Sequence, residues 1–454
     1  MARNPIRKIA VAGLGHPGSL VAGALAEFDG RIFVGSAAPG STLTEDRGRI
    51  HAFDPTSKKW RNVFEAPLMP VNDQQRARAA WLGSGLGGGR QRSELRTDVL
   101  AAAQGVVSMA VFQGPSDAAP CLYASTMSVR GARILRSENG KRFDPVAAPG
   151  LGDDRIFAFR DLTVWRGSLW AVPVGMTTEE ALDRVYPPDP LIAVSDDPAQ
   201  GAWDIAIDPG FGEADNIAIT SLAVAWDALY AATANPARGF QLWRLAEPDG
   251  EWEKVLTDGA GRFSPNLMVT SMTAFAGALF LGTGIPGLGY DPETDTGPAA
   301  CEVIRLQQDG SWDLIMGQPR FYDTGLKQPL SGMGPGFSNK FNAAIWSMSI
   351  YKNRLYAGTH NWEPLDGAAK ADSTGVEGGA ELWMTIDGQS WERIQPGILG
   401  GRTQTGFRAL LATGQGLVVG SYDQTRTIRQ QLMLNDKAEL LDEVAEGFEV
   451  SVLR

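Results

Sequence analysis

The chain has 454 residues and a net charge of −11, from 41 basic and 52 acidic side chains, a balance that argues against an overall nucleic-acid binder. Hydrophobic residues make up 43%, enough for a packed core and too many for global disorder, while 54 glycines and 27 prolines point to many turns and short strands. No apolar run approaches the roughly 18 residues of a membrane helix, and two cysteines, Cys121 and Cys301, form no disulfide framework and read as buried thiols of a reducing compartment.

The N-terminal stretch carries basic residues and a short apolar run that Gly, His and Pro interrupt early, so a secretory signal is not expected and the protein is placed in the cytoplasm. Ile6–Val11 reads as a strand. Pairs of strands then recur at 24–36, 108–125, 161–172, 221–233, 271–283, 347–359 and 409–421. A third and a fourth strand follow in most copies, joined by a turn of Asn, Asp and Gly and then an aromatic: Trp60, Phe143, Trp203, Trp252, Trp312 and Trp391. The stretch 346–394 shows all four strands most clearly. A self-similar unit of roughly 50–65 residues, each a four-stranded antiparallel sheet, is the signature of a β-propeller. The expected fold is therefore all-β: one seven-bladed propeller over residues 1–454. Its blades fall near 19–63, 106–146, 160–208, 218–257, 268–316, 344–395 and 406–445 plus 6–11, with a long insertion at 64–105. The N-terminal strand is expected to complete the last blade and close the ring, with Leu440–Val444 competing for that outer position.

Thr385-Ile386-Asp387-Gly388 followed by Trp391 resembles the Asp-box of many propellers, sialidase-like ones among them. Asp249-Gly250-Trp252 and Asp309-Gly310-Trp312 are shorter versions, and the blades as a whole resemble Asp-box-like or kelch-like repeats. The resemblance implies a structural turn in which Asp and Gly shape the hairpin and the aromatic packs between blades. It implies nothing about catalysis, and no arginine set here maps onto that of sialidases.

Gly13-Leu14-Gly15-His16-Pro17-Gly18 matches the dinucleotide fingerprint G-x-G-x-x-G. The repeat offers another account. Gly13 precedes Gly35 by the interval that separates Gly150 from Val172, Gly210 from Ala232 and Gly336 from Gly358, and Ile398-Leu399-Gly400 sits at the same offset before Gly420. The motif is then a loop leading into each blade, where glycines permit tight turns.

In this register the long loops 65–105, 290–300, 320–344 and 361–379 share one face, where binding residues are usually carried. At the mouth of the inner strands the equivalent positions are Gly23, Val107, Arg160, Thr220, Thr270, Trp346 and Arg408, followed by Ala24, Ser108, Asp161, Ser221, Ser271, Ser347 and Ala409. The hydroxyls read as hydrogen bonds between blades. Arg160 and Arg408 break the small-polar pattern, and two such guanidiniums would suit a carboxylate, phosphate or sulfate. The structural alternative is that each pairs with a neighbouring acid such as Asp161. His360, after YAGT, corresponds to Tyr422 in the last blade, so the two would share a face, with histidine serving as acid or base near neutral pH.

Asp291, Glu293, Asp295 and Glu302 have calcium-loop-like spacing, but the required glycine is replaced by Thr296, so a solvated acidic loop is the simpler reading and no cofactor is expected. Arg76, Arg78, Arg90, Arg92 and Arg96 surround a glycine-rich stretch without a P-loop lysine. They read either as an anion-attracting lid or as a solvated insertion. No G-x-S-x-G, H-E-x-x-H or CxxC motif occurs. The functional expectation is a propeller that binds a small or oligomeric anionic ligand in its axial funnel and acts as a cofactor-independent acid/base enzyme of lyase, hydrolase or cyclase type. Arg160, Arg408 and Trp346 would contact the ligand, and Asp161, His360 and Tyr422 would move protons. The alternative is a non-catalytic scaffold for a protein or glycan, because propellers host both.

Overall fold

The computed structural model describes residues 6–38, 46–76, 78, 98–175, 189–285, 289–290, 295–323, 325–370, 378–394, 399, 402–441 and 444–454. These are mostly β-strands in antiparallel sheets, and the chain divides into two compact units, Ala12–Ile219, and Met1–Val11 with Thr220–Arg454.

In the unit Ala12–Ile219, Val21–Phe28, Arg31–Ala37, Arg49–Asp54 and Lys59–Glu65 form one four-stranded meander. Gly105–Phe112, Cys121–Met127, Ile134–Ser137 and Asp144–Pro145 form another. Ile156–Trp165, Ser168–Gly175, Ala193–Ser195 and Asp204–Ile205 form a third. The insertion after Glu65 contributes a short hairpin, Leu68–Pro70 with Val99–Ala101.

In the other unit, Ala228–Ala234, Leu242–Leu245 and Trp252–Leu256 pair in sequence, and the Thr220 hydroxyl on the preceding strand donates to the Ala232 carbonyl at 3.2 Å. Met268–Phe275, Ala278–Gly284, Val303–Leu306 and Trp312–Met316 make a four-stranded sheet, as do Asn342–Tyr351, Arg354–Asn361, Leu382–Thr385 and Trp391–Arg393. The last sheet runs Gln404–Thr413, Gly416–Asp423, Val450–Leu453 and then Ile6–Ala10, with Ile6 opposite Leu453. The N-terminal strand thus takes the outer position expected for it. The competing segment does not: Leu440 lies in a 3-10 turn, Ala438–Leu441. The sequence between is used for a helix, Thr425–Met433, which packs on a second helix, Glu363–Lys370, through Ile428, Leu432, Leu365 and Ala368. Read from the sequence, 361–379 is a long loop and 425–433 stays unassigned within the last blade, although Ile428 and Leu432 show the four-residue spacing of a helix face.

Within each unit, successive sheets are joined in one recurring way. The end of a second strand makes a single bridge to the start of the next inner strand: Ala37 to Gly105, Met127 to Ala158, Ala234 to Met268, Gly284 to Ala344, and His360 to Gly406. Hydroxyls add a second tie. Two follow the expected serine column: Ser271 Oγ donates to Ile345 O at 2.7 Å and Ser347 Oγ to Phe407 O at 2.7 Å. In a third joint the donor is Ser125, opposite Ser108 on the second strand, whose Oγ donates to Phe159 O at 2.9 Å. Both thiols are buried.

The glycine loops share one backbone form. Gly13-Leu14, Gly150-Leu151, Gly210-Phe211, Gly259-Ala260 and Gly336-Phe337 all place two successive residues in the left-handed region. The nucleotide-like motif therefore belongs to a repeated left-handed turn, here with Gly13 at φ 57 and Leu14 at φ 58. Ile398 and Gly400 lie outside the described residues. In three of the turns an asparagine braces the glycine carbonyl: Asn216 to Gly210, Asn266 to Gly259 and Asn342 to Gly336. The hairpin at Asp387 is held differently. Asp387 Oδ1 accepts from the backbone of Gln389 at 2.8 Å and Ser390 at 2.7 Å, and Gly388 leaves room for the Phe280 ring of the preceding sheet.

A methyl group on Gly210 would stand 2.8 Å from the Asn216 carbonyl oxygen at φ +61, whereas one on Gly212 at φ +76 would meet nothing within 4 Å. Gly210→Ala is therefore expected to cost about 1–3 kcal/mol and lower the thermal midpoint, with a smaller loss for Gly212→Ala. Equal losses in the two variants would contradict this account of the turn.

Candidate functional site

The column of residues at the mouth of the inner strands has a structural cause. The ladder register shifts between Ala22 and Ala24, Val106 and Ser108, Phe159 and Leu162, Val269 and Ser271, Ile345 and Ser347, and Phe407 and Ala409. Gly23, Val107, Arg160 with Asp161, Thr270, Trp346 and Arg408 are therefore β-bulge residues. A bulge leaves its extra residue out of the ladder and re-aims its side chain. The sequence alignment found the positions without finding the reason.

On the unit that holds residues 220–454, four of the expected site residues meet. The Trp346 indole stacks on the His360 imidazole, with ring centroids 4.3 Å apart and planes at 19°. Tyr422 closes the other side at 5.5 Å from Trp346 and 6.4 Å from His360. The Arg408 guanidinium stands 5.9 Å from the indole centroid, within reach of a cation–π attraction. The strand ladder brings these rings together: Ala344 pairs with His360, His360 with Gly406, and Gly406 with Tyr422. Gly406 has to be small, since a Cβ there would lie 2.2 Å from the indole. Its role was not anticipated from the sequence, where QTGFRA looks like an ordinary strand start.

Burial sets the charge state of the cluster. His360 is 6% exposed and Tyr422 8%. Desolvation alone pushes the imidazole from 6.5 down to about 4; desolvation first, opposed by the Gln424 hydrogen bond and aided by the Asp423 charge, pushes the Tyr422 phenol up to about 12. The expectation of a histidine titrating near neutrality therefore meets an imidazole held neutral, because among the described residues no acidic group offsets its burial. His360 Nε2 is buried with no hydrogen-bond partner among the described residues. Tyr422 Oη receives a bond from Gln424 Nε2 at 3.3 Å, and Gln424 is fixed by the Thr405 hydroxyl at 2.7 Å. At neutral pH the cluster thus presents a flat indole, an unused imidazole nitrogen, a protonated phenol and a guanidinium.

Behind it lies Asp423. Burial raises its carboxyl to about 6, against the hydrogen bonds that favour its charged form. Those bonds come from Gly447 N–H at 3.0 Å, Thr425 Oγ1 at 2.7 Å and Gln404 Nε2 at 3.0 Å. This carboxyl ties the last sheet to the segment that leads into Val450–Leu453, and it was not singled out from the sequence.

Arg160 and Asp161 share the bulge on Ile156–Trp165 in the unit Ala12–Ile219, and the Thr163 hydroxyl reaches Asp161 Oδ1 at 3.4 Å. In the same unit His16 and His51 meet with ring centroids 5.7 Å apart. Burial first, and His16 second, lower His51 to about 4. Arg76 pairs with Asp73 at 2.5 Å and Arg78 with Asp154 at 3.2 Å, so these two arginines brace the insertion. Arg90, Arg92 and Arg96 lie outside the described residues, as do Asp291 and Glu293 of the calcium-like loop. Asp295 accepts the Tyr290 hydroxyl at 2.7 Å. Among the described residues, no three His, Cys, Asp or Glu side chains meet in a geometry suited to a metal ion.

No family model matches the sequence, and no curated protein matches it. Among solved structures the chain is similar to the GH74 xyloglucanase from Xanthomonas campestris, at 14% identity and a TM-score of 0.46 over 92% of this chain and 54% of that one. It is similar to the GH74 enzyme of Niastella koreensis at 13% identity and a TM-score of 0.42, over 86% of this chain and 47% of that one. To the polysaccharide lyase Uly1 the identity is 12% and the TM-score 0.49, over 95% of this chain and 90% of that one. The chain spans about half the length of the two GH74 structures.

The depressed His360 value has a direct consequence for stability. A histidine held below its ordinary 6.5 contributes stability that is complete above 6.5 and is lost as pH falls towards 4, because only the unfolded chain takes up the proton. Asp423, raised to about 6, works in the opposite sense and gains stability as pH falls below 6. His360→Gln is therefore expected to make the urea midpoint less sensitive to acid between pH 6.5 and 4, with the slope that remains set by His51 and His16, both lowered by burial, against the opposing Asp423. An unchanged acid slope in the variant would show that His360 is not held neutral by burial.

Proposed function

We infer that the meanders are blades of one seven-bladed β-propeller in the cytoplasm, and that the chain binds a small or oligomeric anionic ligand, an acidic glycan, at the mouth of the inner strands. The observation that carries this reading is the Trp346 indole on its bulge, stacked on His360 and facing the Arg408 guanidinium. An aromatic face suits the apolar side of a sugar ring, and a guanidinium suits its carboxylate or sulfate. With the indole turned aside, His360 Nε2, buried and without a hydrogen-bond partner among the described residues, and the phenol of Tyr422, kept protonated, would meet the ligand's hydroxyls. Arg160 and Asp161 carry the same assignment on their own bulge.

The chemistry proposed is acid/base without a redox cofactor. An anion seated near Arg408 would favour the protonated imidazole, so proton and ligand would bind together. In a lyase, hydrolase or cyclase step His360 would then take or return the proton while Tyr422 assists. Among the described residues no helix is long and apolar enough to cross a membrane.

The scaffold reading rests on a different feature. In the hairpin Arg320–Tyr322 with Gly325–Lys327, Phe321 lies opposite Leu326, and the two are 81% and 49% exposed. A protein partner would cover such a face.

Calorimetric titration with an oligouronate separates the two readings. Arg408→Ala and Trp346→Ala are each expected to weaken binding by about ten-fold or more, the equivalent of one charge-assisted contact, while Phe321→Ser leaves it unchanged. Oligouronate affinity that survives Arg408→Ala unaltered would sink the anionic-ligand reading.

A further inference from the structure

Loops of the unit that holds residues 220–454 enclose an open cleft of about 550 Å³, lined by Arg262, Pro265, Pro298, Gln318, Ser338 and Lys340 among others. The fold contains its own control for this place. Glu302 and Glu381 occupy equivalent positions just before a third strand, each with its backbone N–H bonded to a threonine hydroxyl, Thr283 at 2.8 Å and Thr359 at 2.9 Å. Each carboxylate also accepts from the asparagine that ends a left-handed loop, Asn266 at 2.8 Å and Asn342 at 2.7 Å.

The residue just after the left-handed turn is where the two differ. At Glu381 it is neutral: Asn339 Nδ2 donates to Oε1 at 3.0 Å, and Arg393 supplies a cation at 3.2 Å. At Glu302 it is Arg262, and Arg320 supplies a second guanidinium on the same carboxylate, at 3.5 Å and 3.0 Å respectively. Both arginine side chains are 9% exposed and the carboxylate is fully buried. Arg262 Nε makes its ion pair without a hydrogen bond. One carboxylate does not neutralise two guanidiniums, and an uncompensated buried cation is costly. Lys340, exposed on the facing loop, adds a further positive charge to the lining.

The same loop carries a second cost. Gly259–Asn266 is one residue longer than Gly210–Asn216 or Gly336–Asn342, and Phe263, between the lining residues Arg262 and Pro265, is held at φ 58 and ψ −142. That region is essentially reserved for glycine, and strain of this kind collects at functional sites. Its ring is 55% exposed.

The geometry points to an oxyanion-binding site in this cleft, separate from the Trp346 cluster, in which Arg262 and Lys340 hold the carboxylate, sulfate or phosphate group of a small ligand. Surplus buried charge and backbone strain both fall on the wall of one cleft, where the equivalent loop solves the structural problem with a neutral asparagine. The anion balances the second guanidinium.

The test uses the full chain and titrates sodium sulfate and, separately, sodium glucuronate at constant ionic strength against a sodium chloride reference, followed by calorimetry and by the thermal midpoint. The two anions distinguish a tetrahedral from a carboxylate ligand. Arg262→Asn copies the arrangement at Asn339 and is expected to fold, yet to bind the preferred anion about ten-fold or more weakly. Lys340→Ala, at an exposed position, is expected to weaken binding in the same direction, and Arg142→Ala, on an exposed arginine of the other unit, to leave it unchanged. Wild-type affinity in both Arg262→Asn and Lys340→Ala would overturn the proposal, as would a wild-type protein that binds neither anion beyond the chloride reference. Loss in Arg408→Ala with retention in Arg262→Asn would assign anion binding to the Trp346 cluster and equally overturn it.

Discussion

The surplus residue that bulges out of six of the inner strands is the constraint on which much else depends. A regular ladder would alternate side chains strictly between the two faces of a sheet. By bulging at Thr270, Trp346 and Arg408, the strands interrupt that alternation once each, and the neighbouring hydroxyls of Ser271 and Ser347 then reach the carbonyls of the next sheet. The bulge is thus both joint and display. It lets adjacent sheets interlock through polar bonds, and at Trp346 and Arg408 it re-aims a large side chain.

The aromatic cluster follows from that joint. Trp346 sits against Gly406 because His360, Gly406 and Tyr422 are neighbours across the ladder. The indole covers a place where three strands meet, and the cover is what dries His360. A polar nitrogen left unpaired in such a place is costly, so the arrangement keeps that cost beside the half-buried Arg408 guanidinium. The Glu302 cleft uses a different device, surplus charge in a loop, and owes little to the bulges.

Much of the strand order was legible from the sequence because hairpin turns and alternating apolar residues act locally. The column ending in Trp346 and Arg408 was legible too, since repeats can be aligned without knowing why they align. What escaped were features set by partners distant in sequence. The neutral state of His360 depends on Trp346 and Tyr422. The doubled guanidinium at Glu302 joins residues from three separate segments of the chain. The helices Glu363–Lys370 and Thr425–Met433 are each short and gain their stability from one another, so a weak local helical signal left a loop and an unassigned stretch in their place.

The pairing of Ile6–Ala10 with Val450–Leu453 carries a consequence for how the molecule is made. Ile6–Ala10 cannot take its place until Val450–Leu453, far later in the sequence, has been synthesised. Until then Ile6, buried in the finished sheet, waits without its partner, and that sheet assembles only once both segments exist. Its exposed interval is set by the time taken to translate the residues between the two.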